Sequence, residues 1–189
     1  STFGKGSKDT LNISTGWTCT ESNNVGDKGD LLNTYATFYV DPGTGEPLVS
    51  PELMVQISLP RRRDNGRTTS NVAVRGVTDK AFRVHTPVQL QGPMFSTGAQ
   101  EVIVGRKAAE QFAGVQRGDT IRLGYGNNRE YKVVGFFTAA GGPLESEIWA
   151  YLPSLQSACN RSTYSSAALR VRDDADPRKV VDEIAGPAI

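Results

Sequence analysis

Histidine is almost missing from this chain: His85 stands alone among 189 residues, and only Cys19 and Cys159 carry thiols. That shortage excludes the familiar zinc sites, which draw Cys and His at close spacing, and it excludes a dense disulfide framework. It also leaves nucleophilic catalysis without parts. A Ser-His-Asp arrangement would have to use His85, no G-x-S-x-G elbow presents a serine, and Cys159 lacks the flanking pattern of cysteine hydrolases. An excess of one charge is absent too, because 21 basic against 20 acidic residues leave a net charge of +1. Nothing global therefore attracts nucleic acid or an anionic membrane surface. Long apolar runs are missing as well. The longest candidate, Val133 to Ala140, is broken by Gly135 and Thr138 and falls far short of the ~18–20 residues that cross a bilayer. No basic segment followed by an apolar stretch opens at Ser1, so a signal peptide is not expected there, and the abrupt beginning suggests an excised fragment.

What is present is a succession of short alternating segments. Thr10 to Ser14 reads as a half-buried strand, and the polar, glycine-punctuated stretch after it leads through a short helix near Glu21 to a helix over 31–39, ended by the turn DPGTGEP. Glu52 to Leu59 and Asn71 to Val77 alternate in period two around the charged tip RRRDNGR, which predicts a long hairpin. From Phe82 to Thr138 the texture changes to short strands and tight turns. Within it FRVHTPVQL reads as strand-like, EVIVG as a strand, and RKAAEQFAG as a helix. Val104, Ala108 and Phe112 are expected on one face of that helix, with Gly114 at its left-handed cap. A third region follows. Glu147 to Leu152 predicts a strand, Ser154 to Asn160 a helix, Ser166 to Val171 a strand, and Asp176-Pro177 the start of a last helix carrying Val180, Val181 and Ile184. If Thr10–Ser14 and Ala167–Val171 share one sheet, both ends of the chain leave the domain from the same region, a geometry suited to an insertion between two anchored helices.

Candidate chemistry is sparse. Glu145 and Glu147, two apart on an expected strand edge, would face the same way, but without a third ligand the default is a salt-bridged or solvated pair. Asp173, Asp174 and Asp176 read as a turn and a helix start. GFFTAAGGP and GYGNN match no phosphate-cradling pattern and read as turns. His85 reads as a surface or satisfied core histidine, and Cys159 as a packed or incidental thiol, with a Cys19–Cys159 disulfide as the alternative. The Asn-x-Ser matches at Asn12 and Asn160 carry little weight. Arg61, Arg62, Arg63 and Arg67 at the hairpin tip, with Asn127, Asn128 and Arg129 in YGNNREY, are candidates for partner contact, set against the plainer reading of solvated turns.

Taken together, VRGVT (Val74 to Thr78), EVIVGRKAAEQFAGVQRGDTIRLG (Glu101 to Gly124), YKVVGFF (Tyr131 to Phe137) and SEIWAYLPSLQSACNRSTYSSAALRV resemble the large extracytoplasmic domain of MacB-like and FtsX-like ABC transporter permeases. The likeness spans about residues 70 to 172; Gly92-Pro93 departs from the Gly-Arg common in such domains. The resemblance implies an α+β fold: a porter-like mixed subdomain over 8–80 plus 144–187, with a small mainly-β subdomain inserted over 81–143. It implies a noncatalytic module, without cofactor or metal, on the periplasmic side of the bacterial inner membrane. Its motion would follow a cytoplasmic ATPase subunit, and its partners would be a periplasmic adaptor or other envelope protein and a second permease copy. Gly141, Gly142 and Pro143, where the chain leaves the insertion, are the expected hinge. The alternative is a free-standing periplasmic ligand-binding protein or lipoprotein with Trp149 and Tyr151 lining a cleft.

Overall fold

The computed structural model describes residues 2–5, 10–14, 47–124, 126, 128–171, 176 and 178. The expected helix over 31–39, the one near Glu21, the C-terminal stripe, Cys19 and Asn127 lie outside them. Ten strands form one mixed sheet: β1 (Thr2–Lys5), β2 (Thr10–Ser14), β3 (Val49–Pro60), β4 (Thr69–Val77), β5 (Val88–Gln91), β6 (Glu101–Gly105), β7 (Thr120–Leu123), β8 (Arg129–Ala139), β9 (Glu147–Tyr151) and β10 (Ser166–Arg170). Their spatial order is β1-β2-β10-β3-β4-β9-β6-β8-β5, with β7 paired to β8. The helices are α1 (Ala81–Val84), α2 (Arg106–Gln111) and α3 (Leu152–Cys159), with 3₁₀ turns at Arg62–Asp64 and Pro143–Ser146.

Strand β3 organises the molecule because it is long enough to have two neighbours in succession. Its start pairs antiparallel with β10 from Val49 to Glu52, and Leu53 to Pro60 then pair with β4. β2 lies antiparallel against the other side of β10, with Ile13 opposite Ala167 and Thr10 opposite Arg170, so these two strands share one sheet. At the centre, β9 runs parallel to β4 and antiparallel to β6. Residues 78–146 thus leave the sheet after β4 and return beside it, and their own strands extend the same sheet. The parallel β6–β8 pair is joined by a crossover that contains α2 and β7, as parallel neighbours require.

Both faces of the sheet's centre are covered, so the central strands are apolar on both sides. On one face α2 and α3 lie over Leu53, Val74, Val102, Val104, Ile148 and Ala150, joined by Phe112, Leu123 and Tyr131. On the other, α1 and the loop after β5 cover Val77, Ile103, Phe137 and Trp149, with Phe82 edge-on to the Trp149 ring at 5.5 Å between centroids. Two sequence expectations are corrected here. Val104 belongs to β6 rather than to the helix, because the β-branched run before Gly105 is paired on both sides, and helix geometry begins only at Arg106; Ala108 and Phe112 are buried as expected. The segment FRVH is not a strand: Ala81–Val84 forms a helical turn closed by the His85 N–H donating to the Ala81 carbonyl at 2.7 Å. That turn carries Ala81 and Val84 down onto the sheet.

Candidate functional site

One buried cluster of charge joins the elements described above. Glu52 sits where β3 passes from β10 to β4, Arg75 lies on β4, Glu147 opens β9, and His85 follows α1. Because Arg75 pairs with Met54 and with Trp149 across the sheet, and Glu147 pairs with Ala73, the period-two alternation puts Glu52, Arg75, Glu147 and Trp149 on one face. Arg75 Nε and Nη2 donate to the two oxygens of Glu147, both at 2.7 Å, and Nη1 donates to Glu52 Oε2. The other Glu52 oxygen pairs with His85 Nε2 at 2.7 Å, and the Trp149 indole N–H donates to Glu147 Oε2 at 3.0 Å. Glu52 is 0 % exposed, His85 2 % and Arg75 8 %.

Buried charges persist when each lone pair and proton has a partner, and the protonation of this cluster follows. Burial alone would raise the Glu52 pKa, but the His85 bond and the neighbouring guanidinium outweigh it and hold the carboxyl below its ordinary range. Burial likewise opposes the charge on Arg75, yet its bonds to Glu147 and the charges of both carboxylates push its pKa above the ordinary arginine value. A carboxylate beside an imidazole is a pair that general bases use, but here it is closed to solvent on all sides. What the cluster can do is fasten β3, β4, β9 and α1 together.

Glu145 and Glu147 do not face the same way. Glu145 lies in the 3₁₀ turn, where its Oε1 accepts from the backbone N–H of Ala139 at 2.7 Å and of Gly141 at 2.8 Å. Those two bonds hold its pKa below the ordinary range. Lys107 from α2 donates to the Gly141 carbonyl, and Gly142 N–H to Ala139 O. The glycine turn of Gly141, Gly142 and Pro143 is therefore fastened on both sides.

At the hairpin tip Arg61 donates to Ser70 Oγ at 2.9 Å and Arg62 to the Phe112 carbonyl at 3.4 Å, while Ala113 N–H donates to Pro60 O. The tip is thereby braced on the end of α2. Arg62, Arg63 and Arg67 are exposed, and Asp64 is occupied by Thr68. Asn128 and Arg129 are exposed elsewhere, Asn128 just before β8 and Arg129 at its first position, opposite Leu123. Trp149 is fully buried and Tyr151 half-buried, so these aromatics belong to the core. Cys159 is a free, half-buried thiol whose pKa burial raises. Among the described residues, no group of three His, Cys, Asp or Glu could hold a metal ion.

Sequence reasoning missed the roles of Glu52 and Arg75; for Glu147 a salt bridge or solvation was expected, and the salt bridge is found, with Arg75 as its partner. A signal for them exists, since Arg75 interrupts the apolar run NVAVRGV and Glu52 opens ELMVQISL, but their meeting depends on strand register.

The fold is similar to that of known structures. The periplasmic region of MacB from Actinobacillus actinomycetemcomitans superposes with a TM-score of 0.55 at 15% identity, covering 94% of this chain and 83% of that one. The extracellular domain of the noncanonic ABC-type transporter YknZ from Gram-positive bacteria gives 0.51 at 17% identity, covering 84% and 79%. These likenesses establish a shared fold. No curated protein sequence matches the chain. Among the described residues no helix is long and apolar enough to cross a membrane. The family description that matches, a MacB-like periplasmic core domain, takes in residues 7–186. With nearly its whole length matched and a mixed sheet of the same kind, this chain belongs to the MacB-like periplasmic core domain family of ABC-type transporter permeases.

Proposed function

We propose that the domain is a noncatalytic lever that couples ATP-driven transmembrane motion to the export of a substrate or to work on a periplasmic partner. One observation supports this reading above others. The chain crosses between its 8–80 plus 144–187 part and its 81–143 part twice, near α1 and near β9, and the buried Glu52–Arg75–Glu147–His85 cluster fastens both crossings to β3. Packed, fully bonded elements transmit displacement where loops absorb it. In this reading the two parts are divisions of one stiff body by the path of the chain. A pivot at Gly141, Gly142 and Pro143, the expected hinge, would work against the bonds of Glu145 and Lys107.

The arginine tip gives the lever a place to push. From Val49 beside β10 to Pro60 at the tip, β3 extends about 36 Å at ~3.3 Å per residue, which sets Arg61, Arg62, Arg63 and Arg67 far from the strands that gather the chain ends. Their partner in this proposal is an acidic surface of a periplasmic adaptor or other envelope protein, while the cytoplasmic ATPase subunit and a second permease copy complete the transporter. Asn127, Asn128 and Arg129 are a second, smaller candidate surface. The test is the full-length gene and its product. Transmembrane segments flanking this domain and a companion ATPase are required, and ATP hydrolysis by the isolated chain would overturn the reading.

A further inference from the structure

We infer that a groove beside β8 binds a small amphiphilic anion, a carboxylate or phosphate head on a short apolar body. Strand β8 has two successive neighbours on one side: β7 reaches only to Lys132, where Thr120 is its partner, and β5 begins only at Phe136, opposite Gln91. Between them lie Val133, Val134 and Gly135. A bulge falls at the same place on the opposite side, because Val102 pairs with Val133 and Ile103 with Gly135, leaving Val134 as the extra residue. Bulges re-aim side chains and end regular pairing.

Two loops wall the gap. The loop after β5 is pressed onto β8 at Gly135, where any Cβ would collide with the Pro93 carbonyl. On the other side the turn before β7 is held by Gly118 N–H to Val133 O and Val133 N–H to Asp119 O, each 2.8 Å. The resulting groove has a volume of about 480 Å³, within the range of small-molecule sites, roughly 300–1,000 Å³.

Its lining names the ligand class. Met94 and Val134 offer half-buried apolar surface, and Arg117 and Lys132 bring two cations to the same groove. Neither cation has a side-chain hydrogen bond or ion pair among the described residues, whereas Arg106 and Arg122 on the same part of the molecule are paired to Glu110 and Glu130. The one acid in the lining, Glu101, accepts the Ser96 N–H at 2.8 Å. An anion alone would leave Met94 and Val134 uncovered, and an uncharged apolar body would leave Arg117 and Lys132 unmatched. The inference does not depend on the lever reading.

The test is an NMR titration of the 189-residue chain with octanoate, octyl phosphate, acetate and inorganic phosphate. We expect saturable shifts with one or both octyl probes, confined to Met94, Gly118 and the amides of Val133 to Gly135, and weaker, non-saturating shifts with the two short anions. Arg117→Ala with Lys132→Ala should weaken octyl binding at least tenfold while leaving the melting temperature unchanged, both sites being exposed; Met94→Ser should weaken octyl binding without changing the response to acetate. Equal responses to octanoate and acetate, shifts centred elsewhere, or binding indifferent to the double substitution would overturn the inference.

Discussion

A guanidinium buried between two carboxylates stabilises a fold only while its partners are present. Replacing Arg75 with Met leaves Glu52 and Glu147 buried without their main counter-charge, and we expect a loss of about 3–5 kcal/mol in urea unfolding. Replacing Glu52, Arg75 and Glu147 together with Leu, Met and Leu should recover part of it, because no orphaned charge then remains. The pH dependence follows from the same groups. Glu52 and Glu145 both have folded-state pKa values below the ordinary carboxylate value near 4.5, so their stabilisation is fully present above that value and is lost as pH falls through the lowered ones. A melting temperature followed from pH 7 to 3 should decline on the acid side, and Glu145→Gln should make that decline shallower. These roles were only half legible in the sequence. His85, with no companion ligand, was readable as a surface or satisfied core histidine, and the second holds. The Glu145–Glu147 pair was misread because spacing of two means a shared face only inside a strand, and the strand begins at Glu147.

At the scale of elements, close approaches of backbone decide what can change. Gly105 and Gly135 leave no room for a Cβ against the carbonyls of Glu145 and Pro93, whereas Gly98 has open space around it and only a positive φ of 80°. Gly135→Ala and Gly105→Ala should each cost about 2–3 kcal/mol through forced backbone shifts, and Gly98→Ala about 1 kcal/mol through its dihedral alone. Denaturant midpoints of the three variants, measured side by side, check that order. The hairpin β3–β4 was legible because one end of it is polar on one face and its alternation is clean. Val104 was not, because a strand buried on both faces loses its period and merges with the helix after it. α1 was missed for a related reason: four residues are too few to show a helical period, and tertiary contacts fix them.

For the whole molecule, the alternation in TLNIS and in SSAALRV marked two half-buried strands, and their sharing of one sheet, which the sequence left as a condition, is met by the β2–β10 pair. The continuity of one sheet through every described strand was not legible, since it depends on β9 entering between β4 and β6. If the proposed lever works through its tip, Arg62→Glu, Arg63→Glu and Arg67→Glu together should lower transport by the full transporter at least tenfold while ATP hydrolysis persists. The most direct measurement of the lever is an electron–electron distance experiment on the full transporter, with Cys19 and Cys159 replaced and spin labels at exposed Ser58 and Gln89, on the hairpin and on β5. The distance within one domain should stay constant between nucleotide-free and ATP-bound states, while the Ser58–Ser58 distance across the proposed pair of permease copies changes. A within-domain distance that shifts by several ångströms on ATP binding would contradict the account.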